Sequence, residues 1–517
     1  MLRALTEPFA WLTGMSGGSS YALARWVFLR ALGAIYLVAF LSLAVQVRGL
    51  VGERGILPAG RYLAAIEARV GPERYWRLPT VFWLGAGDRA LLAACLAGAA
   101  GAALVLAGIA PAPLLLLLWA LYLSLCGVGR DFLAFQWDVL LLEAGLLAVF
   151  FAPWSVSPRL AHHGAVNPVA LALLWWLLFR LMFESGVVKL SSGDPAWRDL
   201  TALQYHYFTQ PLPNPLSWFA HQLPAWFHRL STAGMYAAEI ALPLAVCGPR
   251  PLRLLAAAGM ALFQLLIFST GNYNFFNLLT IALCFTLVDD SVWRRVLPDR
   301  LLDWLGDPAA RASPGWTLAA LLPVALVALL VGLAQVHRSL DPRADSWRWI
   351  QRLEARLAPL RSLNPYGLFR VMTRERPEIL IEGSDDGADW RPYVLRHKAG
   401  PLARRPPWAA PHQPRLDWQM WFAALGSYRT TPWVESLLAR LLEGSPQVLA
   451  LLAQNPFPER PPRYARATLW SYRFTTRAER RASGEWWRRE YLGPYSPVLS
   501  LEGGSSAPES AAAIDSR

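Results

Sequence analysis

The fold class this 517-residue sequence predicts is a polytopic α-helical membrane protein with a mixed, β-rich extramembrane domain at its C-terminal end. Three observations predict it. Hydrophobic residues make up 55% of the chain, charged residues only 16%, and the mean hydropathy is +0.29, outside the range of ordinary soluble domains. Apolar stretches of roughly 17 to 23 residues, each long enough for a bilayer core of about 30 Å, recur as far as Gln335. Beyond Gln335 the pattern changes abruptly to a Pro- and Trp-rich, strongly arginine-biased region that carries most of the formal net charge of +13.

Taken in order, the apolar stretches cover residues 23–46, 89–109, 111–127, 132–152, 168–188, 232–248, 253–270, 272–288 and 316–335, which predicts about 8–9 transmembrane helices. Segments 111–127 and 232–248 are short for a full crossing and suit tilted, re-entrant or buried helices. The first stretch lacks a small-residue cleavage site and reads as a retained helix. Two long hydrophilic connections interrupt the series, at 47–88 and 189–231. The second mixes aromatics, prolines and amphipathic character, as expected of a segment lying on the interface or folded back into the bundle.

The domain organisation expected is therefore 1–337 for the membrane region, 338–501 for the C-terminal domain and 502–517 for a Gly-, Ser- and Ala-rich disordered tail. Within the second region, Tyr366 to Thr373, Glu378 to Glu382 and Trp390 to Lys398 are β-like, and Ser384-Asp385-Asp386-Gly387 makes a hairpin of the last two. Pro401 to Pro414 reads as an extended arm. Thr431-Pro432 and Ser445-Pro446 open two short helices, and Arg463 to Thr475 returns to strand, with Tyr464, Trp470, Tyr472 and Phe474 on one alternating face.

The apolar segment FLAFQWDVLLLEAGLLAVFFA carries Asp138 and Glu143 near its middle. An ionised side chain at bilayer depth costs at least about 2.5 kcal/mol, so both carboxylates need partners. LALLWWLLFRLMFESGVVKL supplies candidates: Arg180 and Glu184 lie on one helical face, with Lys189 at the end. Arg180 is expected to pair with Asp138 or Glu143, and Lys189, one of two lysines beside Lys398, to anchor or to pair with Asp194. Glu239 is a further carboxylate in an apolar stretch. This set either fixes helix packing or lines a functional cavity. Asn272, Asn274 and Asn277 suit capping and helix-to-helix hydrogen bonds. In the long connection Arg198, Asp199, Tyr205, His206, Tyr207, Gln210 and Asn214 are candidate site residues, with His206 the one acid–base candidate.

Several classes are excluded. The four cysteines sit in apolar runs, and adjacent His162 and His163 cannot form a helical metal pair, so neither a metal nor a cofactor is expected. No nucleotide-binding, hydrolase-elbow or zincin motif is present, and no nucleic-acid-binding motif accompanies the basic region, which instead suits anionic headgroups or an acidic partner.

The stretches GRDFLAFQWDVLLLEAGLLAVFFAPW at 129–154, LLFRLMFESGVVKLSSGDPAWRDLTALQYHYFTQPLPNPLSWFAHQLP at 177–224 and NPYGLFRVMTRERPEILIEGSDDGADWRPY at 364–393 resemble the lipase maturation factors. So do PRLDWQMWFAAL at 414–425 and NPFPERPPRYARATLWSYRFTT at 455–476. The resemblance implies a multispanning protein that assists exported lipases by chaperone-like client binding without a catalytic step. The animal members reside in the endoplasmic reticulum, with the C-terminal domain lumenal and engaging the client. It places Asn364, Tyr366, Phe369, Trp390, Trp418, Trp421 and Phe422 in the matching motifs as candidate client contacts. The arginine-dominated composition suggests instead a bacterial inner membrane, with the C-terminal domain exoplasmic. Expected partners are an exported client, a lipase by family precedent, and the bilayer. The family's membrane part is also similar to vitamin K-dependent carboxylases, which makes the alternative a membrane-embedded enzyme acting on a lipid or quinone-like substrate.

Overall fold

The computed structural model describes residues 2–309, 315–343, 345 and 347–501; the tail expected at 502–517 lies outside the described residues. Among the described residues, six helices are long and apolar enough to cross a membrane: Ala22–Ala44, Asp88–Ala107, Pro111–Leu133, Pro168–Ser191, Arg250–Thr270 and Trp316–Leu340. A seventh span exists if Phe276–Phe285 and Asp290–Val296, bent by 112° at the break between them, form one crossing.

The expected 8–9 helices thus become six or seven, for physical reasons. The apolar stretch at 132–152 yields a helix only over Gln136–Phe151, because the chain turns through Arg130–Leu133 first. Its 16 residues rise about 24 Å, short of a hydrocarbon core, and most of them are buried among neighbours. The stretch at 232–248 breaks into Ala225–Tyr236, a π turn at Ala237–Ala241 and the single turn Leu242–Leu244. At 272–288 the helix ends at Phe285, and the bend that follows serves the first span. The Asp290 carboxylate there accepts the N–H groups of Ala22, Leu23 and Ala24 at 2.8–3.2 Å, satisfying orphan donors at that helix's N-terminus.

The first two spans pack most closely. A Cβ at Gly33 would lie 2.7 Å from the backbone nitrogen of Leu106, so only glycine permits this approach. The connection at 189–231 folds into short helices, Pro195–Arg198, Leu203–Thr209 and Pro215–His221, before Ala225. Asn214 caps the third by accepting the Leu216 and Ser217 N–H groups, its own N–H donates in return to Ser217 Oγ, and Pro215 stands at the first helical position.

The C-terminal domain is built on an antiparallel five-stranded sheet, β1 (Arg376–Ser384), β2 (Arg391–Leu395), β3 (Leu452–Gln454), β4 (Tyr464–Phe474) and β5 (Trp487–Pro494), in the order β3-β2-β1-β4-β5. The hairpin expected at 384–387 joins β1 to β2, with Ile381 opposite Tyr393. Tyr366 to Thr373 is not a strand: tertiary contacts described below hold it as an irregular segment. β4 buries Ala465 and Ala467 toward one side, while Tyr472 and Phe474 pack with Trp218, Trp486 and Trp487 on the other. Tyr464, Trp470, Tyr472 and Phe474 thus share that second face as expected, with Tyr472 and Phe474 buried and Tyr464 and Trp470 half-buried. Buried apolar side chains run without interruption from the bundle into the domain through the Arg415–Leu425 helix.

Candidate functional site

The carboxylates of the apolar helices meet partners from two directions. Arg180 forms its ion pair with Glu143, one of the two partners expected, and its other terminal nitrogen donates to Gln335 Oε1 at 2.7 Å and to the Asn364 carbonyl at 3.2 Å. Glu143 Oε2 also accepts the Tyr366 hydroxyl at 2.7 Å and the Asn364 backbone and side-chain N–H groups at 3.1 and 3.3 Å. Glu184 accepts the backbone N–H of Tyr366 at 2.8 Å. Thus the segment expected as a strand spends its polar groups on helix carboxylates, which explains its irregular path.

Asp138 finds a partner that helix-by-helix reasoning missed. Arg415, at the start of the Arg415–Leu425 helix, grips it with two bonds of 2.8 and 3.0 Å, and Tyr122 donates its hydroxyl at 2.6 Å. Arg415 also donates to the Phe132 carbonyl at 2.7 Å. All three side chains are buried. The bidentate fork and the extra carbonyl satisfy both charges, which an isolated buried pair requires.

A third junction involves the 189–231 connection and the proline arm. Arg376, on β1, donates to the carbonyls of Phe208 and Pro211 at 2.8 and 3.0 Å and to that of Gln210, placing a cation at the C-terminal end of the Leu203–Thr209 helix. Glu378 balances it at 2.7 Å and also pairs with Lys398. Burial lowers the Lys398 ammonium below the usual lysine range, with Glu378 opposing. Asn272 accepts the Ala409 and Ala410 N–H groups at 2.8 and 3.1 Å and donates to the Pro407 carbonyl at 2.9 Å. Trp421 donates to the Thr209 carbonyl at 2.8 Å.

Together these contacts form a polar seam between bundle and domain. One close approach across it is Gly367, φ +153°, where a Cβ would sit 2.6 Å from Val188 Cγ2.

Lys189 pairs with Glu239 at 2.6 Å instead of Asp194, because the π turn brings Glu239 against its helix. Asp194 is occupied elsewhere: it caps Ala196 at 2.9 Å and accepts the Met372 N–H at 2.6 Å. His206 and Gln210 meet at the Tyr273 hydroxyl, with Tyr207 and Asn214 nearby, and Tyr205 packs against the cluster of Trp197 and Met235, whereas Arg198 and Asp199 are exposed. Burial and the nearby Lys189 push the His206 imidazole down to about 4.

Of the aromatic candidates, Tyr366, Trp418 and Trp421 are buried, as are Trp486 and Trp487. Phe422 is open to solvent, and Trp390 is half-buried at the hairpin turn under the Arg466 guanidinium. Phe369 stacks edge-on against His206. A cavity of about 640 Å³ lies beside this group, lined by Lys189, His206, Glu239, Asn277 and Phe369 among largely apolar side chains. Among the described residues no group of three or more His, Cys, Asp or Glu side chains could hold a metal.

The fold and the seam define a class: an integral membrane protein whose extramembrane domain is locked to its helices through buried ion pairs. Residues 23–295 match the lipase maturation factor transmembrane domain and residues 362–497 the lipase maturation factor C-terminal domain. The chain is 38% identical to lipase maturation factor 2 of Homo sapiens, over 93% of this chain and 83% of the relative. It is 36% identical to lipase maturation factor 1 of Bos taurus, over 93% and 90%. It is 34% identical to the lipase maturation factor 1 of Mus musculus, over 93% and 88%. The chain belongs to the lipase maturation factor family. No solved structure matches it. Nothing in these comparisons supports the membrane-enzyme alternative.

Proposed function

We propose that this chain assists the maturation of an exported client, a lipase by the names of its relatives, by holding it rather than by chemical conversion. The observation that carries this is the seam. Asp138, Glu143 and Glu184, the carboxylates with which a membrane enzyme would act, are each engaged by the C-terminal domain. Asp138 and Glu143, each held by an arginine and a tyrosine hydroxyl, stabilise a platform and leave little acid–base capacity for a substrate, while Glu184 is held through one oxygen. The client face includes Phe422 and Leu425, exposed about one turn apart on the Arg415–Leu425 helix, and Trp390 at the hairpin turn.

The domain division at about residue 337, a bacterial inner membrane and an exoplasmic C-terminal domain belong to the same reading. Composition supports the second, and a client met during export requires the third. The test is co-expression with an exported lipase in a strain lacking this chain. Specific activity of the secreted lipase should rise when the chain is supplied and fall back with Phe422→Asp/Leu425→Asp. Equal lipase activity with and without the chain would refute the proposal.

A further inference from the structure

The 640 Å³ cavity plays no part in client holding, and its lining has a definite chemistry. It lies between the Pro168–Ser191 and Arg250–Thr270 spans, the π turn and the 203–227 connection, and Leu368 and Phe369 of the C-terminal segment close its inner end. At the other end Leu262 and Leu266 line it while standing more than half exposed on the apolar face of a span. Ala237, also lining it, is exposed beside them. An opening rimmed by leucines on the outer surface of a membrane helix faces acyl chains, not water.

The polar groups inside select further. Lys189 and Glu239 neutralise one another at 2.6 Å, so the cavity offers no net charge to an ionised headgroup. Gln210 Nε2 donates to Ser217 Oγ and the Thr270 carbonyl, which leaves Gln210 Oε1 to accept the one Tyr273 proton at 2.9 Å. Tyr273 oxygen, 3.1 Å from His206 Nε2, then accepts from that nitrogen, which assigns the proton to Nε2 and leaves Nδ1 a bare acceptor. Nδ1 is buried and has no partner. Asn277 spends its N–H₂ on Gln264 at 2.7 Å, and its buried Oδ1 likewise has no partner. His206 and Asn277 both line the cavity, so its wall holds two unfilled acceptors, covered from water at rest, that a ligand able to donate would satisfy. With its imidazole depressed to about 4, His206 keeps that acceptor at neutral pH. The volume falls within the roughly 300–1,000 Å³ of small-molecule sites.

We infer that this cavity is a lipid-binding site that takes a neutral, hydroxyl-bearing single-chain lipid of the monoacylglycerol class from the bilayer, the chain lying between Leu262, Leu266 and Phe227 and the hydroxyls donating to His206 Nδ1 and Asn277 Oδ1. It does not rest on the identity of any client. The binding is non-covalent and leaves the lipid unchanged.

The test uses the full chain in phosphatidylcholine nanodiscs with a monoacylglycerol carrying a photoreactive group in its acyl chain. Crosslinks should fall on peptides within 203–227 and 259–277. Ala237→Trp and, separately, Leu266→Trp, both at the exposed mouth, should lower labelling at least fivefold while the thermal midpoint stays unchanged. Unlabelled monoacylglycerol should compete at least tenfold better than the matching fatty acid, and His206→Phe/Asn277→Leu should erase that preference. Labelling that survives both mouth-filling variants would mean annular lipid only and overturn the proposal. Equal competition by the fatty acid or by phospholipid would overturn the assignment of a neutral donor.

Discussion

Replacing Arg415 with methionine removes the whole countercharge of Asp138 while keeping most of the side chain's apolar bulk. Asp138 is then left with the Tyr122 hydroxyl alone, in a site from which water is excluded. Breaking a buried pair by deleting one partner costs about 3–5 kcal/mol, or roughly two to three and a half orders of magnitude in the equilibrium for docking the domain on the bundle. Deleting both charges behaves differently. Asp138→Leu/Arg415→Met forfeits the bonds to the Tyr122 hydroxyl and the Phe132 carbonyl, about 1 kcal/mol each, but buries no unmatched ion, so it should fall within about 2 kcal/mol of the parent. The assay is the apparent unfolding midpoint in detergent, with proteolysis of the arm before Arg415 as the local readout. Arg415→Met should unfold early and be cut in the arm, and the double variant should recover most of both. A single variant as stable as the parent, or a double variant as damaged as the single, would refute the assignment of Asp138 and Arg415 as the clamp.

Other expectations follow from the same seam. Gly367→Val forces a side chain into Val188 at a backbone angle that L-residues avoid, so it should cost about 1–3 kcal/mol and expose the 364–372 segment to hydrogen exchange. Lys189→Met should destabilise by leaving Glu239 buried and unmatched, and adding Glu239→Leu should restore the unfolding midpoint. Acid should loosen the domain. Burial, with Arg396, Arg404 and Arg415 nearby, lowers His397 and His412 to about 4, below their usual 6.5, so the unfolded state takes up protons first. Their contribution is complete above about pH 6.5 and is lost as pH falls toward 4. Asp417, raised to about 6 by its burial, offsets part of this, so the histidine effect is read by difference: the parent should lose more of its unfolding midpoint between pH 7 and 5 than His412→Gln, which can keep a bond to Ser42.

The sequence made the membrane class legible because a bilayer imposes length and apolarity on every span. It also pointed to Arg180 and Glu143, since one basic residue on an apolar helix leaves few ways to neutralise a carboxylate on its neighbour. The partner of Asp138 was not legible: Arg415 lies 277 residues away, beyond the membrane region and at the end of the proline arm. A signal existed in RLDWQMWFAAL, where an arginine opens a helix with aromatics on several faces, a pattern that suits burial on all sides. Helix counting failed at Asp290 and at the Ala237–Ala241 turn for a related reason. Apolar run length records hydrophobicity, whereas the break at each place is set by a distant N-terminus to be capped or by Lys189 to be paired. The π turn positions Glu239, and nothing in a periodicity of 3.6 announces it.

The most direct test of the account is the specific activity of a lipase secreted from cells lacking this chain and resupplied with the parent, Arg415→Met, Asp138→Leu/Arg415→Met or His206→Phe. Holding by a clamped domain predicts full lipase activity with the parent and with His206→Phe, loss with Arg415→Met and recovery with the double variant. Lipase activity that ignores Arg415→Met despite an undocked domain, or that disappears with His206→Phe in a fully folded chain, would contradict it.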